Sequence, residues 1–359
     1  MPATGSEPRG FVRFSPSARN RCRALRIDGI VAVPAVVVAV AFLSVLGPAP
    51  PVMAHGLIGQ RFFPATLAID DPFVADELSL PTVELTRRKA IQDEPASWET
   101  DVSAELSKRL SRRLGLSIAG TLLVQDQDRG PTIAGFDNME LSLKYVFFDS
   151  AAHELLLSAG LEADVGGTGQ KRVGAESFST ISPTFFFGKG MGDLPDGARF
   201  LKPIALTGAF ALNLPIDEHT NTTSIVDGEV VTDRALNPRV IEWGFSLQYN
   251  LQYLQSFVED VGLFAPFNRM IPLVEFALET SVQGSSKTAG SINPGVIWFG
   301  RYIQIGLEAV VPVNGNALDE APQPHVGFLG QVHFYLDDIW PEFFTWTPFE
   351  GVLGPTQPR

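Results

Sequence analysis

The chain has 359 residues, a formal net charge of −13 and a single cysteine. So acidic a chain lacks the basic footprint of a nucleic-acid binder, and one cysteine excludes a disulfide framework. The length suits one large all-β domain, and no linker demands a division.

Residues 1–54 read as a cleaved secretory signal. Arg9, Arg13, Arg19, Arg21, Arg23 and Arg26 form a basic leader, Gly29 to Gly47 is apolar except for Ser44, and Val52-Met53-Ala54 offers a processing site before His55. A retained anchor is the rival reading, because the apolar run approaches the roughly 20 residues that span a bilayer. Pro48, Pro50 and Pro51 favour processing, and no adjacent arginine pair marks a twin-arginine signal. Removing the leader takes away Cys22 and a net +4, so residues 55–359 carry −17 and have no thiolate or cysteine metal site.

From His55 to Asp76 the chain is punctuated by glycine and proline; residues 55–77 are expected to form a periplasmic tether or a plug, with Phe62, Phe63 and Phe73 as the plug side chains. A weakly patterned strand is expected at 78–86. Clear alternation begins at 98–109, continues at 113–125, and then gives a hairpin of 139–148 with 153–165, where Leu141, Leu143, Tyr145 and Phe147 oppose Glu140, Ser142 and Lys144. Segments 179–188 and 202–213 follow, separated by the loop Gly188 to Gly197, and Pro215 to Pro238 reads as a long polar loop. The strongest pattern spans 239–254: Trp243, Phe245, Leu247, Tyr249, Leu251 and Tyr253 alternate with Gly244, Ser246, Gln248, Asn250 and Gln252. Candidates at 270–281, 291–299, 301–312 and 325–337 complete about twelve strands, with ten to fourteen allowed by boundary error.

This pattern predicts an all-β fold, a transmembrane antiparallel β-barrel at 78–359 in the outer membrane, with lipid against one parity and the lumen against the other. A soluble sandwich shares half-buried strands, but several segments here reach the length of a tilted spanning strand, and the polar parity carries Gly, Ser, Gln and Glu. Closure also leaves no edge strand unpaired in hydrocarbon.

The lumen-lining candidates are Glu140, Lys144, Glu154, Glu162, Glu242, Gln248, Glu275, Glu279, Gln304, Glu308, Gln331 and His333. Their acidic bias favours cations or neutral solutes over anions; the alternative is a closed structural or ligand-binding barrel whose carboxylates only hydrate a filled interior. No metal site is expected: His325 and His333 stand about 26 Å apart along one strand, and His55 has no partner near in sequence. An outer-membrane lipid-modifying enzyme would need a Ser/His pair, yet Ser158 and His153 point to opposite faces, and residues 55–359 contain no Gly-x-Ser-x-Gly elbow. Gly166 to Lys171 lacks the spacing of a phosphate loop. No catalytic residue and no cofactor are therefore expected; the partners are outer-membrane lipid and a small solute, not nucleic acid.

The segments His55-Gly56, Arg61-Phe62-Phe63-Pro64-Ala65-Thr66-Leu67 and Asp71-Pro72-Phe73 through Leu80-Pro81 resemble the start of a proteobacterial outer-membrane family. Ile292-Asn293-Pro294-Gly295, Trp298, Gly300-Arg301-Tyr302 and His333-Phe334-Tyr335-Leu336-Asp337-Asp338 before Pro341 add to the likeness. The family is that of the outer-membrane transporters grouped under the meta-pathway of phenol degradation. The resemblance implies passive passage of small, hydrophobic or aromatic compounds and carries over no catalytic residues.

Overall fold

The computed structural model describes residues 56–88, 90, 95–226, 229–283, 288–313 and 326–349, so the expected signal segment and His325 lie outside the described residues. Twelve antiparallel strands close into a barrel: β1 (Glu77–Arg88), β2 (Ser97–Arg109), β3 (Leu114–Gln127), β4 (Met139–Ser150), β5 (Leu155–Val165), β6 (Thr180–Gly190), β7 (Ile204–Pro215), β8 (Val240–Tyr249), β9 (Met270–Ser281), β10 (Thr288–Phe299), β11 (Ile303–Val313) and β12 (Gly327–Tyr335). Each strand pairs with its successor, and β12 returns to β1 with Phe328 opposite Leu85 and Tyr335 opposite Glu77. The segment read as weakly patterned is thus the closing strand. Its pattern is blurred by a bulge between Ser79 and Thr82, where Pro81 has no N–H to give to the ladder.

The alternation sorts the two faces. On β8, Gly244, Ser246 and Gln248 are buried inward while Leu247 is exposed outward. Leu116, Leu143, Leu161, Phe185, Phe210 and Phe328 continue the outward apolar surface around the barrel. A water-facing surface this oily would be unfavourable at ~25 cal/mol per Å², whereas against hydrocarbon it carries no such cost. No helix among the described residues is long and apolar enough to cross a membrane.

The end of the barrel that carries the start of β1 and the end of β12, here the near end, has tight connections at 110–113, 151–154 and 300–302 and two longer ones at 191–203 and 250–269. Connections at 128–138, 166–179 and 216–239 leave the far end, and the first of them folds back so that Ile133–Phe136 pairs with Leu122–Gln125 of β3.

Several boundaries differ from expectation for local reasons. The strand read to residue 254 stops at Tyr249, because the Asn250 side chain accepts a hydrogen bond from Tyr253 N at 2.9 Å and starts a helical turn, Leu251–Tyr253. The loop expected at 215–238 holds a hairpin of its own, His219–Val226 with Glu229–Leu236, built from a threonine- and valine-rich stretch that suits extended backbone. Glu154 is not on a strand. It ends the 3₁₀ turn Ala151–His153 in the left-handed region, φ 46°. The last strand ends at Tyr335, and Leu336–Ile339 and Pro341–Phe344 are short helical turns at the near end.

Candidate functional site: a seated N-terminal segment and the cavity beside it

Residues 57–76 do not hang outside the barrel. They enter at the near end, rise to about mid-height and return to β1. Entry is fixed by Arg61, which is fully buried: Nε donates to Glu154 Oε2 at 3.1 Å, Nη1 donates to Pro203 O at 2.8 Å, Nη2 donates to Lys202 O, and the guanidinium lies 3.8 Å from the Tyr253 ring centroid. Burial lowers the Arg61 pKa, and Glu154 opposes that shift. Glu154 therefore clasps the inserted segment and does not line the wall.

Above this clasp the segment packs against β8 to β11. Phe62 meets Phe299 at 4.7 Å between ring centroids, and Phe62 and Leu67 cover the inward cluster Ile271, Leu273, Ile297 and Phe299. The inward parity of β9 and β10 is consequently apolar near this end, where a uniformly wet lumen was expected. Two wall glycines act as sockets: a Cβ on Gly306 would fall 2.4 Å from Leu67 Cδ1, and one on Gly244 would fall 2.8 Å from Ile69 Cδ1. Phe63 and Phe73 pair at 5.4 Å, so all three plug candidates lie inside the barrel.

The tip of the segment, Ala65 to Pro72, is held by wall side chains that satisfy its backbone. Glu275 accepts from Leu67 N at 3.3 Å and Ala68 N at 2.7 Å, and Gln304 Nε2 donates to Ala65 O at 2.6 Å. Lys144 Nζ reaches Asp70 at 2.7 Å and Asp71 O at 2.6 Å, and lies 4.5 Å from the Phe186 ring centroid. Ser158 Oγ donates to Pro72 O at 2.5 Å, while His153 lies exposed in the β4–β5 turn beside Asp193, so the two are not a catalytic pair. The segment leaves through Asp76, fully buried between Lys108 at 2.6 Å and Arg109 at 3.2 Å; Lys108 also donates to Phe344 O and Trp346 O of the C-terminal turns.

Between the returning limb and β1 to β4 lies a cavity of about 360 Å³. Glu140, Lys144, Gln331 and His333 line it. His333 accepts or donates at Nδ1 with Ser79 Oγ at 2.8 Å and pairs through Nε2 with Glu77 at 3.0 Å. The remaining candidates face inward elsewhere. Glu242 stands directly opposite Glu279 in the β8–β9 register, and Glu162 stands opposite Ser142. Gln248 donates to Thr207 and Ser246. Glu308 is buried next to β10, beside the side chain of Asn293 and away from the inserted segment's backbone. Among the described residues no group of three His, Cys, Asp or Glu side chains is placed to hold a metal.

The sequence reading missed Arg61, Asp70, Asp76, Glu105 and the hydroxyls of the cavity wall. The inward glycines of β8 and β11 were a visible signal for a close-packed insert, but alternation alone does not say what packs there.

No protein-family model and no curated protein matches the sequence. Solved structures are similar in fold. An outer-membrane channel from Pseudomonas putida F1 is 10% identical, with TM-score 0.46, over 74% of this chain and 97% of that one. The NanC porin is 9% identical, with TM-score 0.40, over 71% and 98%, and the KdgM porin 10% identical, with TM-score 0.37, over 70% and 98%. The likeness concerns the fold alone, and nothing in these comparisons ties the chain to the phenol meta-pathway.

Proposed function

We propose that the protein is a passive channel for small molecules in the outer membrane, with the near end toward the periplasm and residues 57–76 filling part of the lumen. Three tight turns at the near end, the longest connection of the barrel, 216–239, at the far end, and an even strand number support that orientation. The observation that carries the reading is the polar cavity beside the inserted segment: a barrel serving only as scaffold has no need to leave about 360 Å³ lined by hydroxyls and carboxylates. The small hydrophobic or aromatic compounds implied by the family resemblance are one solute class to test, and Leu67, Ile69, Phe73 and Val74 give them apolar surface in the cavity.

Liposome swelling with graded solutes, from small amines and sugars to phenols, tests the proposal. Size-dependent entry is expected, and a folded barrel that admits no solute overturns it.

A further inference from the structure

We infer that solutes pass beside the seated segment, along a hydroxyl-lined lane on the β1–β4 and β12 side, and that the lane takes small hydrophilic cations such as protonated primary amines. This deepens the channel reading and rests on it. The lane wall runs from Glu77, Ser107 and Gly115 at the near end up to Thr82, Ser103 and Thr121. From Gly115 to Thr121 that is about 20 Å along the strand.

The charge of the lining is unbalanced. Asp70, Asp71, Glu77, Glu105 and Glu140 face Lys144 and His333. Both basic groups are already engaged, Lys144 by Asp70 and His333 by Glu77. Glu105 accepts from the Ser107 hydroxyl at 3.1 Å, and neither Glu105 nor Glu140 has a basic partner within ion-pairing distance among the described residues.

A neutral side chain points the same way. Gln331 lines the lane, is 8% exposed and donates through Nε2 to Thr82 at 3.1 Å, but its Oε1 accepts nothing. A buried acceptor without a donor is costly. An ammonium group supplies the missing N–H donors and the missing positive charge together, while Ser79, Ser103, Ser117 and Thr121 replace part of its hydration. Anions meet repulsion from the five carboxylates, so this lining favours small cations over anions.

The test is ion selectivity of the protein lacking residues 1–54 in planar bilayers, read as reversal potential in a KCl gradient and then with ethylammonium chloride. Wild type is expected to prefer cations and to carry ethylammonium. Glu105→Gln combined with Glu140→Gln should lower the cation-to-anion permeability ratio several-fold, and Ala119→Trp on the lane wall should cut conductance by more than half. Heat-modifiable mobility on gels verifies that each variant is folded. Glu242→Gln with Glu279→Gln alters carboxylates outside the lane and should change the ratio less. If that second pair sets the selectivity, or if folded Ala119→Trp conducts like wild type, the lane is overturned while the channel reading stands. A folded wild type that passes no current overturns the channel reading itself.

Discussion

The inserted segment meets two kinds of wall. On the β8–β11 side, Phe62, Leu67 and Ile69 fit against Phe299, Gly306 and Gly244, and the interior is packed as a soluble core is packed. On the β1–β4 side the same segment borders a polar cavity and is joined to the wall through Lys144, with Ser158 of β5 beside it. Dry contacts on one side fix where the segment lies, and the polar side leaves space next to it. Packing and open space are thus divided between two sides of one barrel.

The largest effect on this contrast should come from deleting residues 57–75. With the dry half emptied, conductance is expected to rise several-fold; unchanged single-channel conductance would mean that the segment is a tether without influence on the pore. Arg61→Ala should come next. It leaves Glu154 buried without its cation, and breaking such a pair costs about 3–5 kcal/mol, which denaturant titration of the detergent-solubilised barrel would register. A smaller change is expected from Leu67→Ala, about 2 kcal/mol for a partly buried leucine; limited proteolysis should find the segment more readily cut, and no change in cleavage would contradict its seating against Gly306. Arg87→Ala, which removes an exposed pair with Asp128 at the far end, should alter neither conductance nor stability measurably, since surface ion pairs contribute little.

The barrel itself was legible because its code is local. A strand with lipid outside alternates at every second residue, so β4, β5 and β8 can be found without knowing their neighbours. The pattern failed where another rule governs a few residues: the bulge at Pro81, the Asn250 cap and the threonine-rich outer hairpin. Inward parity was readable too, and it placed Glu140, Lys144, Gln331 and His333 on the inner face. What each inward residue touches was not. Glu275 and Glu308 look alike in the sequence, yet Glu275 accepts hydrogen bonds from the N-terminal backbone more than 200 residues away while Glu308 lies beside Asn293 of the wall. That difference depends on the path of a segment whose sequence has no periodicity, so substituting Glu275 and Glu308 together would mix a test of selectivity with loss of a support for the segment.

The division into a packed and an open half can be measured most directly by cysteine accessibility, because the chain after residue 54 has no cysteine of its own. Ser117→Cys on the open side and Leu273→Cys on the packed side, each in the folded barrel, would be treated with a small cationic thiol reagent before and after deletion of residues 57–75. Rapid labelling at 117 in both forms, and labelling at 273 only after the deletion, is the predicted result. Equal labelling of the two positions in the intact protein would contradict it.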